Sequence, residues 1–206
     1  MKHIIILLSL FLLSIPLTGI CQDKGLPPEW NFDKKDEIKN WGSMNQLAPL
    51  EIASVKDNDG QTRTILKTKS TGTDPYVFPD GGWNGFIPDV EPFDGKKYSI
   101  IYLGVRVNVA NAWQIYYVTD QDAAYSERQQ QTFQVNAVDN FQDIQFKMET
   151  GGWKEELIKG FRLDPGTAAG IEAEIDYISL RGVPGGPKAL IDDGKLAVTW
   201  GKIRQF

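Results

Sequence analysis

Histidine and cysteine are almost absent: the 206 residues hold one of each, His3 and Cys21, and both fall at the N-terminus. Lys2 and His3 precede an apolar run from Ile4 to Leu17 that ends at Thr18-Gly19. Crossing a bilayer takes about 20 apolar residues, so this shorter run reads as an export leader. Cleavage after Cys21 puts the small residues Gly19 and Cys21 at the two recognised positions and leaves Gln22 as the new N-terminus. The body from Gln22 onward is then expected to be secreted, in the extracellular space or periplasm. The alternative is a lipoprotein anchored at Cys21, against which stands the bulky Ile20 where a lipobox carries a small residue.

With the leader removed, the body has no imidazole and no thiol, or one lipidated thiol. Hydrolases that depend on Ser-His or Cys-His chemistry are excluded, and so are zinc sites built on His or Cys. A disulfide framework is excluded too, although the compartment would allow one. Remaining acid-base chemistry would fall to carboxylates, Tyr, Lys or Arg. Positive charge is also short, since 22 Lys and Arg against 27 Asp and Glu give −5, and loss of Lys2 leaves −6. No basic patch or arginine run suits nucleic acid, and no second long apolar run suits a membrane. The balance favours neutral ligands over polyanions, which it repels at long range.

Long helical periods are missing as well, and a two-residue repeat takes their place. Ile101, Leu103, Val105, Val107 and Val109 alternate with Ile100, Tyr102, Gly104, Arg106 and Asn108, so one face of this strand is core. Trp113, Ile115 and Tyr117 alternate in the same way with Gln114, Tyr116 and Val118. Further strands are expected near Leu50–Val55, Thr62–Thr68, Thr132–Val135, Phe141–Met148, Ile158–Leu163 and Ile171–Leu180. Turns at Asp57-Asn58-Asp59-Gly60, Asp94-Gly95 and Gly151-Gly152 separate them. Their spacing suits an all-β sandwich or jelly roll.

The run Phe161-Arg162-Leu163-Asp164-Pro165, the Gly166 to Gly170 turn and the run Ile171 to Leu180 resemble the closing strands of secreted galactose-binding-like β-sandwiches. Trp30-Asn31-Phe32-Asp33 with Asn40-Trp41, and Thr73-Asp74-Pro75-Tyr76 ahead of a Gly-rich loop, extend the resemblance over about residues 29 to 181. Many such domains are carbohydrate-binding modules. The resemblance therefore implies one antiparallel sandwich over residues 22–181 that captures a polysaccharide or oligosaccharide without changing it. It also implies a structural calcium, for which Asp176 near the last strand and Asp33 near the first are the matching acids. Two acids supply part of the six to eight oxygens that calcium takes. The plainer alternative pairs Asp176 with an arginine.

Sugar rings stack their C–H faces on aromatic side chains and need polar groups to replace lost water hydrogen bonds. The segment from Tyr76 to Phe93 offers both, and Tyr76, Trp83 and Tyr116 are the candidate platforms. Asn84, Arg106 and Gln114 are the candidate hydroxyl partners. Tyr102, Arg106, Gln114 and Tyr116 share one phase of two successive strands, so antiparallel pairing is expected to set them side by side. The alternative for Arg106 is a pairing with an acid such as Asp176.

Asp57-Asn58-Asp59-Gly60 resembles the start of an EF-hand loop, but its glycine stands fourth rather than sixth, and Thr68 occupies the twelfth position. A hairpin turn explains it better. Glu155, Glu156, Asp120, Asp122 and Glu127 are the acids that a glycosidase or lyase could use, though their spacing shows no convergence. Trp153-Lys154-Glu155-Glu156 is expected to begin the strand leading to Arg162. After Leu180, Gly182-Val183-Pro184-Gly185-Gly186-Pro187 reads as a linker to a short tail bearing Trp200. That tail either packs on the sandwich or serves as a docking peptide for a protein partner, the second being the route to a structural or adhesive role.

Overall fold

The computed structural model describes residues 27–39, 41–79 and 92–184, with the pairs 191–192 and 195–196 beyond them. The leader with Cys21, the loop residues Trp83 and Asn84, and Trp200 of the tail lie outside the described residues. In chain order the strands are β1 (Glu29–Trp30), β2 (Gly42–Asn45), β3 (Glu51–Lys56), β4 (Thr62–Lys69), β5 (Tyr76–Phe78), β6 (Phe93–Asp94) and β7 (Ile100–Val107). They continue with β8 (Asn111–Thr119), β9 (Gln130–Val135), β10 (Gln142–Lys147), β11 (Leu157–Asp164) and β12 (Glu172–Ser179). The short helix α1 (Gly151–Glu155) precedes β11, and Ile191–Asp192 pairs with Lys195–Leu196 as a small hairpin.

Two apolar alternations set the architecture. Ile101, Leu103, Val105 and Val107 of β7 and Trp113, Ile115 and Tyr117 of β8 are all buried in one core. Each such side chain contributes roughly 1.5–3 kcal/mol by leaving water, before entropy is counted. The two strands belong to different sheets and bury their apolar sides in the layer between them. The back sheet runs β10-β7-β12-β4-β3, with β1 on β12, and the front sheet runs β2-β5-β11-β8-β9, with β6 on β11. All these pairings are antiparallel. The chain also changes sheet between β11 and β12, through Gly166 and Gly170, whose φ angles of 112° and 82° suit glycine. This is the antiparallel sandwich that the strand spacing implied.

The placement of β7 and β8 corrects the expected pairing of their polar faces. Both edges of β7 are taken by β10 and β12, and both edges of β8 by β11 and β9. With their apolar sides turned toward one core, their polar sides point away from each other, and Arg106 and Gln114 end on opposite surfaces. A second correction concerns Trp153, which lies in α1 rather than at the start of a strand. That turn seats the fully buried indole edge-on to Tyr117 at 5.1 Å. Its backbone N–H donates to the Tyr117 hydroxyl at 3.1 Å and its ring N–H to the Tyr98 carbonyl at 3.2 Å. Gly152 permits the approach, because a Cβ there would meet the same hydroxyl at 3.1 Å.

Tryptophans Trp30, Trp41, Trp113 and Trp153 are all core residues. Trp30 packs edge-on to Trp41 at 5.7 Å and to Phe161 at 5.2 Å, which ties the N-terminal segment to the sandwich. The Asp57–Gly60 segment is the β3–β4 hairpin turn, as its composition suggested. The Asp57 carboxylate accepts from the backbone N–H of Asp59 at 3.1 Å and of Gln61 at 2.8 Å, and Gly60 has φ 78°.

Candidate functional site

Strand β11 supplies the centre of the site. Phe161 and Leu163 are buried, so the intervening Arg162 and the following Asp164 turn to the outward face of the front sheet. Arg162 stands opposite Tyr116 and Asp164 opposite Gln114 on β8. On the other side Leu163 faces the buried Val77, which turns Tyr76 and Phe78 outward as well. Gln130 and Thr132 of β9 continue the rows beyond Tyr116 and Gln114. Neighbouring strands thus carry one lattice of aromatic and polar side chains.

Arg162 lies between two rings, its guanidinium carbon 4.0 Å from the Tyr76 centroid and 4.4 Å from that of Tyr116. Contacts of this kind stabilise by about 0.5–2 kcal/mol. Its Nε donates to Asp164 Oδ1 at 2.7 Å and its Nη2 to Oδ2 at 2.5 Å, the two-pronged fit of guanidinium to carboxylate. The same Nη2 reaches Asp74 Oδ1 at 3.3 Å. Asp164 is 3 % exposed. Burial pushes its pKa up to about 6 against the pull of Arg162, and the charges of Asp74 and Glu127 add to the rise. For Arg162, burial alone would lower the pKa, but the Asp164 hydrogen bonds hold it above its ordinary value.

Around this pair the remaining polar groups are fixed. The Tyr116 hydroxyl donates to Glu127 Oε1 at 2.8 Å, and burial together with that bond raises its pKa to about 12. Gln114 Nε2 donates to Thr132 Oγ1 at 3.3 Å. Phe78 packs 5.6 Å from Tyr76 and 5.1 Å from Tyr125, whose own pKa is raised by burial. A face of this kind offers hydrogen-bond donors and acceptors held in place by rings and a buried carboxylate. A tyrosine with so high a pKa is a poor proton acceptor near neutral pH.

Tyr76, Gln114 and Tyr116, singled out from the sequence, are brought together here. Tyr76 remains partly exposed, whereas Tyr116 is 7 % exposed with Arg162 lying on its ring, so it is no open platform. Arg106 is not part of the site. On the back sheet it donates to Glu174 at 2.6 Å and lies 4.7 Å from the Phe141 ring. Arg162, Asp164 and Asp74 were not among the sequence candidates, and Glu127 was named only as an acid for the enzyme alternative. The alternation Phe161-Arg162-Leu163-Asp164 was the available signal, because it places two charged residues on the face opposite two core residues.

Asp176, proposed for calcium, instead accepts from Arg63 Nη1 at 2.5 Å, and Arg63 Nε donates to Asp57 at 3.0 Å. Burial raises the Asp176 pKa against the Arg63 bond, with Asp143 and Asp33 adding to the rise. Asp33 is exposed, and among the described residues no group of three or more His, Cys, Asp or Glu is arranged to hold a metal. A guanidinium already supplies the positive charge at Asp176, so this donor set does not fit a calcium ion.

Asp120, Glu155 and Glu156 do converge, with Asp94, on a cleft of about 310 Å³ at one end of the sandwich, which Asp122 and Glu127 do not line. Three of these four carboxylates are engaged: Asp120 accepts from the Leu157 N–H at 3.0 Å, Asp94 from the Lys96 N–H at 3.0 Å, and Glu156 from the Thr119 hydroxyl. Burial tends to raise the Asp120 pKa, but the Leu157 N–H and Gln121 outweigh it and hold it low. A carboxyl that stays ionised in this way is not a general acid.

No family model matches the sequence, and no curated protein matches it either. Among solved structures it is similar to an exo-beta-agarase, with a TM-score of 0.53 at 10% identity over 75% of this chain. The chain corresponds to 24% of that protein. It is also similar to the family 11 carbohydrate-binding module from Clostridium thermocellum in complex with a beta-1,3-1,4-mixed-linked tetrasaccharide, with a TM-score of 0.39 at 12% identity, covering 75% of this chain and 93% of that one. A family 6 type module from Clostridium stercorarium in complex with cellobiose gives a TM-score of 0.35 at 11% identity, covering 66% of this chain and 85% of that one. The chain has an antiparallel β-sandwich fold. At these identities the likeness is one of fold, and a shared sandwich carries many functions.

Proposed function

We propose that this chain is a non-catalytic carbohydrate-binding protein that holds a glycan on the outward face of its front sheet. The observation that carries this reading is the layer Tyr76–Arg162–Tyr116, with Asp74, Gln114 and Glu127 around it. Tyr76 offers a partly exposed ring to a pyranose, and the polar groups replace the water that its hydroxyls lose. Trp83 and Asn84, which follow β5 in the sequence, belong to the proposal as further contacts. Export by the N-terminal leader would bring this face to polysaccharides outside the cell.

The state of the groups at this face supports capture rather than cleavage. Asp164 is the carboxyl nearest to a general acid, yet it is covered by Arg162 and lies beneath the face. Tyr116, with its pKa raised to about 12, is unsuited to abstract a proton in a lyase reaction. Isothermal titration with soluble oligosaccharides tests the reading, with Tyr76→Ala expected to weaken binding about tenfold, the loss of one aromatic contact. Unaltered affinity in both Tyr76→Ala and Trp83→Ala, or new reducing ends or unsaturated products on incubation with polysaccharide, would overturn it. A chain that binds no glycan but captures a protein would be the adhesive sandwich instead.

A further inference from the structure

Arg162 is the cation at the centre of the front face, and its charge is answered from below. Asp164 takes both prongs of the guanidinium while being 3 % exposed, so a ligand cannot displace it by approaching from solvent. Asp74 contacts the same Nη2 from the rim, its side chain 59 % exposed, and Glu127 sits on Tyr116 at the other side. Asp74, Asp164 and Glu127 against Arg162 make three formal negative charges to one positive, an excess of two. The buried acid is ionised above about pH 6, so this excess is present at neutral pH.

We propose that Asp164 sets the charge selectivity of this face: by neutralising Arg162 from beneath, with Asp74 and Glu127 at the rim, it makes the face a site for uncharged sugar residues that turns away uronates and sulfated sugars. The inference rests on the carbohydrate-binding reading above. An arginine free of acidic partners is a strong anchor for carboxylate or sulfate. Arg162 has lost that capacity, and its remaining role is to present N–H groups and a flat stacked surface to neutral hydroxyls. A ligand anion would meet like charge from both rim acids, and a like charge placed at a binding surface disfavours the wrong partner more than it helps the right one.

The test is isothermal titration of the full chain at pH 7.5 with two sets of probes. Cello-, agaro- and mixed-linkage gluco-oligosaccharides form the neutral set, and oligogalacturonides and sulfated galactan fragments the acidic one. At least one neutral probe is expected to bind, with every acidic probe at least tenfold weaker. The double variant Asp74→Asn/Glu127→Gln should narrow that gap several-fold, and 0.5 M salt should narrow it as well, since screening acts on exposed charge. The control is Glu51→Gln/Asp59→Asn, which changes net charge equally at exposed positions on β3 and the β3–β4 turn of the back sheet. It should leave the gap in place. Acidic probes binding as well as neutral ones, or the control narrowing the gap as much as the rim variant, would overturn the charge inference and leave the carbohydrate reading standing. Binding of neither set would remove both.

Discussion

The two outward faces of the sandwich each hold arginine against an aromatic ring, yet they differ in how that arginine is held. On the back sheet Arg63 and Arg106 lie 5.1 and 4.7 Å from the Phe141 centroid; Arg63 spans Asp176, 19% exposed, and the fully buried Asp57 of the β3–β4 turn, and Arg106 pairs with Glu174, 22% exposed. On the front sheet Arg162 has rings on both sides and an acid whose side chain is 4% exposed. The Arg106–Glu174 pair has water at hand and can rearrange at small cost, whereas Arg162, clamped between two rings on a buried acid, holds one geometry. A preorganised surface loses less entropy on binding, which favours the front face as the ligand site. The back face has the character of a stabilising surface, with Asp57 tying Arg63 to the β3–β4 turn.

The largest expected effect comes from removing Arg162. Arg162→Ala strands Asp164 inside the protein and is expected to cost about 3–5 kcal/mol in chemical denaturation, the penalty for orphaning a buried charge. A loss under 1 kcal/mol would break the contrast between the faces. On the back sheet packing supplies a test that leaves the charges in place. A Cβ on Gly104 would sit 2.4 Å from the Tyr177 ring, whose hydroxyl is held by Asp143 at 2.8 Å. Gly104→Ala should therefore destabilise by about 1–3 kcal/mol while leaving glycan affinity unchanged.

Acid titration separates Asp164 of the front face from Asp57 of the back by sign. The folded Asp164 pKa of about 6 lies above its unfolded value, so its stabilising term is present below about pH 4 and lost as pH rises through 6. Measured against Asp164→Asn, the native chain should gain roughly 1 kcal/mol between pH 7 and pH 5. On the back sheet, burial of Asp57 is outweighed by the Arg63 hydrogen bond and two backbone donors, so its pKa is lowered. Its stabilising term is present at neutral pH and lost as pH falls through its depressed value. Thermal melts of Asp57→Asn should show the opposite trend. The smallest effect is expected for Arg106→Ala, which breaks a pair with water at hand and should cost about 0.2–1 kcal/mol. Any change in glycan affinity in that variant would show that the two faces are not separate.

Much of the fold was legible in residue order. The alternations Ile101–Val107 and Trp113–Tyr117 marked both strands and their buried sides, and the Asp57–Gly60 run marked its hairpin. The candidate site was legible in part. Tyr76, Gln114 and Tyr116 were found because aromatic and amide side chains on a strand's polar phase stand out. Arg162 and Asp164 were passed over because charged residues in a closing strand read as solvated surface until their neighbours are known. Arg106 was included on the premise that adjacent strands pair, which holds for β3 and β4 but not for β7 and β8. Trp153 was read as strand because one helical turn is too short to leave a period.

By itself the sequence determined that the chain is β, which side of each long strand faces the core, and that imidazole and thiolate chemistry have no place beyond residue 21. These are properties of composition and of a two-residue repeat, and neither depends on what lies next door. Tertiary structure decided which strands are neighbours, because backbone hydrogen bonds along a strand edge are the same for every sequence and carry no address. That choice put Arg106 beside Glu174 on one surface and Arg162 between two tyrosines on the other.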